Sequence, residues 1–207
     1  MDIKKLIKSH RIISDQIRED ELFVLLSELK RVLDTGVEGD IVELGCFEGT
    51  SALFFGRLLK GIHSDKKMWL YDSFEGLPEK SSEDDSAMGA QFKQGELKAS
   101  KAVLAKNFVK AGLKIPEIKR AWFYELDPID LPEAISFAFL DGDFYESILD
   151  SLKLVWPKMT HGSTLIIDDY QNAALPGAAQ AVNEFFADKN VQIIATKTLA
   201  IIKQQAS

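Results

Sequence analysis

The chain of 207 residues has one cysteine, Cys46, and three histidines, His10, His63 and His161. One cysteine excludes an internal disulfide and any CxxC or Cys/His metal spacing. Basic residues are outnumbered, 25 Lys and Arg against 32 Asp and Glu, for a formal charge of −7 and a pI near 5.1. No Lys/Arg-rich stripe dominates any segment, which argues against a broad electrostatic grip on nucleic acid. No apolar stretch reaches the length of a membrane span. The opening "MDIKKLIKSHRIISDQIRED" holds basic residues without a continuous apolar h-region, so no secretory signal is expected. Internal repeats and composition breaks are also missing. These absences lead to the expectation of a soluble, cytoplasmic protein with one domain over residues 1–207 and no nucleic-acid or membrane partner.

What is present is an ordinary globular mixture, 46% hydrophobic and 28% charged, in a chain long enough for a sizeable core. From residue 40 onward, short apolar runs alternate with helix-like segments. "DIVELG" (40–45), "MWLYD" (68–72), "IKRAWF" (118–123), "SFAFLD" (136–141) and "STLIIDD" (163–169) read as buried strands. Helices are predicted at about 50–60, 98–111, 146–156 and 177–188, which gives a parallel sheet with helices on both faces. In "VQIIATKTLAIIKQ" two apolar runs are joined by "TKT", too short for a crossover helix, so they must pair antiparallel. Residues 1–34 read as one or two amphipathic helices, with Leu22, Leu25, Leu26, Leu29 and Leu33 at helical spacing. Three readings fit them: a helix on the sheet edge, a cover over a site, or a homodimer contact. The polar stretch "EKSSEDDSAMGAQFKQGE" (79–96) is long for a connection and reads either as a surface loop or as a mobile lid.

The first apolar run enters a glycine turn, "ELGCFEGTS" (43–51). A dinucleotide fingerprint needs a second glycine where the pyrophosphate touches the backbone, yet Cys46 and Phe47 stand between Gly45 and Gly49. A P-loop is excluded, because no Gly-Lys-Ser/Thr follows. An amino-acid carboxylate at the helix start, Thr50–Ser51, remains compatible with the turn. The second run ends at Asp72, placed to accept ribose hydroxyls. A nucleoside with an amino-acid tail satisfies both features, and S-adenosylmethionine is one.

Two later runs end in paired acids, Asp141 and Asp143 in "FLDGDFYES", and Asp168 and Asp169 in "LIIDDYQN". Adjacent strands about 4.8 Å apart would crowd four carboxylates together, which favours a hard divalent cation such as Mg²⁺. An Asp-x-Asp this late in the chain does not suit a haloacid-dehalogenase-type phosphatase. A nucleotide-sugar glycosyltransferase leaves the glycine turn unexplained. His63 and His161 precede their strands, at the edge away from the site, and His10 has no assigned place. The general base for a hydroxyl is then a carboxylate, and Asp143 is the choice.

Together "GVEGDIVELGCFEGTSA" (36–52), "YDSFEGLPE" (71–79), "FLDGDFYESILDSL" (139–152), "WPKMTHGSTLIIDDY" (156–170) and "GAAQAVNEFF" (177–186) resemble the macrocin O-methyltransferase (TylF-type) family in kind and order. The resemblance implies a class I methyltransferase fold, Rossmann-like and mostly parallel, with seven strands and a C-terminal antiparallel hairpin. It implies a Mg²⁺-dependent O-methyltransferase acting on a hydroxyl of a sugar or glycosylated small molecule. It assigns Asp141, Asp168 and Asp169 to the metal and Asp143 to the base. Glu43 and Gly45 would lie by the methionine part of the cofactor and Asp72 on its ribose. Ser73 and Phe74 would stand in the same wall, with Trp122 as the candidate at adenine. With the turn residues Cys46, Phe47, Gly49, Thr50 and Ser51, and with Asp141, these make up the expected cofactor set. A catechol-type O-methyltransferase, a non-catalytic cofactor binder and an NAD-binding oxidoreductase are the alternatives.

Overall fold

The computed structural model describes residues 1–204; positions 205–207 of the expected unit lie outside the described residues. Two helices, α1 (Ile3–Lys8) and α2 (Glu19–Asp34), precede β1 (Asp40–Leu44), α3 (Thr50–Gly61) and β2 (Met68–Asp72). They are followed by α4 (Lys101–Lys110), β3 (Glu117–Arg120), β4 (Ile135–Leu140), α5 (Tyr145–Val155) and β5 (Met159–Ile167). The chain closes with α6 (Pro176–Phe186), β6 (Ile193–Thr196) and β7 (Leu199–Lys203). The strands form one seven-stranded sheet in the order β3-β2-β1-β4-β5-β7-β6. The pairings among β1 to β5 are parallel, whereas β7 runs antiparallel to both β5 and β6, so the hairpin expected from "TKT" is present.

Side-chain alternation sorts the core onto the two faces of the sheet. Ile41, Phe137, Phe139 and Ile166 pack with α2, α3 and α4 on one face, through residues such as Leu25, Leu29, Phe54, Phe55 and Phe108. Val42, Leu44, Ala138, Leu140 and Ile167 pack with α5 and α6 on the other, through Leu152 and Val182. In α2, Leu22, Leu25, Leu26 and Leu29 are fully buried, so its apolar stripe is consumed inside the chain. No described helix is long and apolar enough to cross a membrane.

Three sequence expectations need correction. The run 118–123 is not a buried strand: β3 ends at Arg120 on the sheet edge, with Glu117, Lys119 and Arg120 exposed, and Phe123–Glu125 forms a 3-10 turn. An edge strand needs only one covered face, and charged side chains there discourage further pairing. β5 begins four residues earlier than expected, at Met159, so His161 lies inside the strand rather than before it, still in the amino-terminal half. Leu33 is only partly buried, and Val32 takes the inward position beside it.

The stretch 79–96 forms two 3-10 turns, Ser82–Asp84 and Ala87–Gly89, anchored at both ends. Leu77 and Glu96 close its base through the backbone, Leu77 N–H donating to Glu96 O at 2.8 Å. Buried Asp84 accepts from the Tyr145 N–H at 2.8 Å, on the first residue of α5, whose own N-cap, Phe144, offers no side-chain acceptor. A Cβ at Gly177 would overlap the Asp84 carboxylate, which is why α6 starts with a glycine behind its proline. Asp84→Ala strands the amide at the head of α5 and frees the stretch. It is expected to cost about 1–3 kcal/mol, read from the midpoint of denaturant unfolding.

Candidate active site

Register places the site. Leu44 is paired with Tyr71 and Leu140, and Leu140 with Ile167, so these four residues stand level across four strands. The next residues, Gly45, Asp72, Asp141 and Asp168, therefore form a row along the carboxyl edge. Backbone bonds knit the row: Gly45 N–H to Tyr71 O at 2.9 Å, Asp141 N–H to Leu44 O at 2.8 Å, and Asp168 N–H to Leu140 O at 2.9 Å. Between β1 and β4 the chain order reverses, the switch point at which open α/β sheets bind ligands.

A cavity of about 200 Å³ opens on this row. Of the expected site residues, Gly45, Phe47, Asp72, Ser73, Trp122, Asp141, Asp143, Asp168 and Asp169 line it. Glu43, Cys46, Gly49, Thr50, Ser51 and Phe74 do not; they stand behind the wall. Gly45 sits at φ +92°, and a Cβ there would overlap the Asp141 carbonyl oxygen, so β1 and β4 approach this closely only with glycine. Phe47, Phe74, Asp143 and Asp169 also have positive φ, an uncommon conformation for residues with a side chain. All four follow the ends of strands that build the site, where such strain tends to accumulate.

Asp72 is held by the turn, its two oxygens accepting from Phe47 N–H at 2.8 Å and Phe74 N–H at 2.7 Å. Burial nevertheless raises its pKa. Glu43 is fully buried on the α3 face, where Ser51 Oγ donates to Oε1 and Oε2 has no partner among the described residues. Desolvation pushes its carboxyl up to about 8. Cys46 is 3% exposed, and burial beside acids pushes its thiol well above the usual range, so it is no nucleophile. Behind the turn, Ser14 Oγ and Thr50 Oγ1 share a hydrogen bond of 2.8 Å, fastening the segment between α1 and α2 to the start of α3.

Carboxylate oxygens of Asp141, Asp143 and Asp169 lie within 4.8 Å of one another. The expected trio was Asp141, Asp168 and Asp169. In the structure Asp143, expected as the base, stands in the tightest group, and Asp168 stands at its side. Asp168 Oδ1 is engaged by Thr198 Oγ1 at 2.9 Å and by Asp169 N–H at 2.8 Å, which turns that oxygen toward the protein. Burial and mutual repulsion raise all four pKa values: Asp143, Asp168 and Asp169 to about 7, and Asp141 well above the carboxylate range. An all-oxygen donor set this crowded fits a hard divalent cation, which would remove the repulsion.

The histidines stay out of this region. His10 Nδ1 lies 2.9 Å from Leu6 O, His63 follows α3, and His161 is on the far half of β5. Several lining residues were not anticipated: Leu77, Pro78, Phe92 and Leu97 from the stretch after β2, Asn172 and Leu175 after β5, and Asp15 and Gln16 from the N-terminal segment. For Leu77 and Pro78 the adjacency to "DSFEG" was a usable signal. Asp15 and Gln16 are brought in by tertiary packing alone.

Comparison with known proteins follows the same lines. The chain is 31% identical over 166 residues to mycinamicin III 3''-O-methyltransferase of Micromonospora griseorubida, covering 76% of this chain and 64% of that protein. It is 32% identical over 164 residues to 8-demethyl-8-(2,3-dimethoxy-alpha-L-rhamnosyl)-tetracenomycin-C 4'-O-methyltransferase of Streptomyces olivaceus, covering 76% and 61%. It thus spans about three-fifths of the length of these curated relatives. Among solved structures, the O-methyltransferase NovP superposes with a TM-score of 0.77 at 26% identity, over 89% of this chain and 79% of NovP. Calicheamicin methyltransferase CalS11 gives 0.72 at 20% identity, over 97% and 89%. The fold is that of the class I methyltransferases. The family model for macrocin-O-methyltransferase (TylF) matches residues 16–202, a span that includes the row of strand ends and every acid on it. The chain belongs to the macrocin-O-methyltransferase (TylF) family.

Proposed function

We propose that the protein is an O-methyltransferase. It moves the methyl group of S-adenosylmethionine to a hydroxyl of a sugar or glycosylated small molecule, with Mg²⁺ or a similar cation at the aspartates. The observation that carries this reading is the convergence, in one cavity, of four aspartates with the Gly45–Phe47 turn and Asp72. The names of the two relatives, an O-methyltransferase of mycinamicin III and one of a rhamnosyl tetracenomycin C, support the acceptor class.

Each element of the chain has a part. The turn at Gly45 and Phe47 receives the amino-acid end of the methyl donor, and Asp72 receives the ribose hydroxyls. Trp122 offers a flat face at the adenine side. Asp141, Asp168 and Asp169 would hold the cation, which would supply stabilisation of negative charge on an acceptor oxygen. A carboxylate oxygen of Asp143 takes the hydroxyl proton. Phe92, within 79–96, and Leu77 and Leu97, which flank that stretch, give the cavity an apolar lining, and in this reading 79–96 serves as the lid.

The test is methyl transfer from labelled S-adenosylmethionine to a panel of glycosides, free sugars and catechols, with Mg²⁺ or with chelator. Label on a sugar oxygen, lost with chelator and restored by Mg²⁺, is expected. Transfer to catechols in preference would contradict the acceptor class, and transfer unaffected by chelation would contradict the cation.

A further inference from the structure

The turn between β6 and β7 lies far from the acids in sequence, yet it touches both them and the N-terminal helix. Thr198 Oγ1 is 2.9 Å from Asp168 Oδ1 and 2.7 Å from Glu21 Oε1 on α2. Thr198 does not line the cavity, and Glu21 is 4% exposed. Three further contacts fasten the same junction. Lys197 Nζ meets Asp20 Oδ2 at 3.1 Å, and Gln171 N–H donates to Thr198 O at 3.0 Å. Arg18 grips Glu21 twice, its guanidinium at 2.8 Å from Oε1 and its N–H at 2.9 Å from Oε2. A hairpin turn, the first turn of α2 and the loop after β5 are thereby locked to one another at the back of Asp168.

We propose that Thr198, braced by Glu21, is a positioning residue for the cation site, which makes the N-terminal helix a structural part of that site rather than only its cover. The inference rests on the cation reading given above. Its physical basis is that a carboxylate can rotate about its terminal bond. Asp168 Oδ1 is held by the Asp169 N–H and by the Thr198 hydroxyl, whose single proton is shared with Glu21 Oε1, and no hydrogen bond among the described residues engages Oδ2. Pinning Oδ1 therefore fixes the carboxylate plane of Asp168, which lines the same cavity as Asp141, Asp143 and Asp169. Removal of such an outer partner generally weakens metal affinity by about 10–100-fold. The role does not include touching the methyl donor or acceptor.

Mn²⁺ binding to the full chain, followed by electron paramagnetic resonance without methyl donor or acceptor, tests this separately from turnover. Thr198→Val is expected to weaken Mn²⁺ binding by about 10–100-fold, whereas Thr198→Ser, which keeps the hydroxyl, remains within about threefold of the unsubstituted protein. Glu21→Gln, whose amide can donate to Thr198 Oγ1 and leave the hydroxyl proton to Asp168, is expected to bind Mn²⁺ at least as tightly as Thr198→Ser. Affinity for S-adenosylhomocysteine should be unchanged in Thr198→Val, which also shows that the variant is folded. Undiminished Mn²⁺ affinity in Thr198→Val overturns the positioning role while leaving the cation site intact. Absence of Mn²⁺ binding in the unsubstituted protein overturns the cation reading itself.

Discussion

Asp143→Asn is expected to reduce turnover by roughly 10²–10⁴-fold, the usual span for losing a positioned proton acceptor, with S-adenosylhomocysteine affinity changed by no more than a few-fold. The substitution is clean because Asp143 sits at φ +59°, and asparagine tolerates that left-handed conformation as well as aspartate does. Shape and backbone are kept while the proton acceptor is removed. Asp143 is also within 4.8 Å of Asp141 and Asp169, so the same variant separates two roles. Unchanged Mn²⁺ affinity with lost turnover assigns it to the proton. Lost Mn²⁺ affinity assigns it to the ion and removes the base role. Full turnover in the variant removes the base role too.

The second large effect is a coupling between pH, cation and stability. Asp143, Asp168 and Asp169 have carboxyls pushed up to about 7 and Asp141 higher still, from an ordinary value near 3.8. Between these limits the folded chain retains protons that the unfolded chain has released. Stability from these groups is therefore complete below the ordinary carboxylate range and is lost as pH rises through about 7. One pKa unit corresponds to about 1.4 kcal/mol, and the four coupled groups share the penalty rather than adding it in full. A fall in Tm of roughly 5–10 °C between pH 5.5 and pH 8 is expected in chelator, given about 2–4 °C per kcal/mol for a chain of this size. A bound cation needs the ionised carboxylates, so millimolar Mg²⁺ should raise Tm at pH 8 and do little at pH 5.5. Differential scanning calorimetry at the two pH values, with and without Mg²⁺, reads all four numbers. A Tm in chelator that rises with pH would contradict the crowding of the acids.

What could be read from the sequence was local. Runs such as "MWLYD" and "SFAFLD" gave strands because their apolar residues are contiguous and bounded, and the paired acids at 141/143 and 168/169 announced a site wherever β4 and β5 came to lie side by side. β3 was misjudged because Trp122 and Phe123 extended its apolar appearance beyond Arg120, where a 3-10 turn takes over. The start of β5 was hidden by "MTHG", whose polar residues and glycine do not look like a strand. Contacts that bridge long separations were invisible: Asp84 caps a helix 61 residues away, and Thr198 holds an aspartate 30 residues before it. Which three of the four acids lie closest depended on the left-handed turns at Asp143 and Asp169, a property of the folded backbone that residue identity does not encode.

The central claim is that the Gly45 turn and Asp72 receive a methyl donor. Isothermal titration calorimetry with S-adenosylhomocysteine and, separately, with NAD tests it most directly. Saturable binding of S-adenosylhomocysteine at one per chain, reduced at least tenfold in Asp72→Ala, with no heat from NAD, is the expected result. Binding of NAD, or no binding of S-adenosylhomocysteine, would contradict the account.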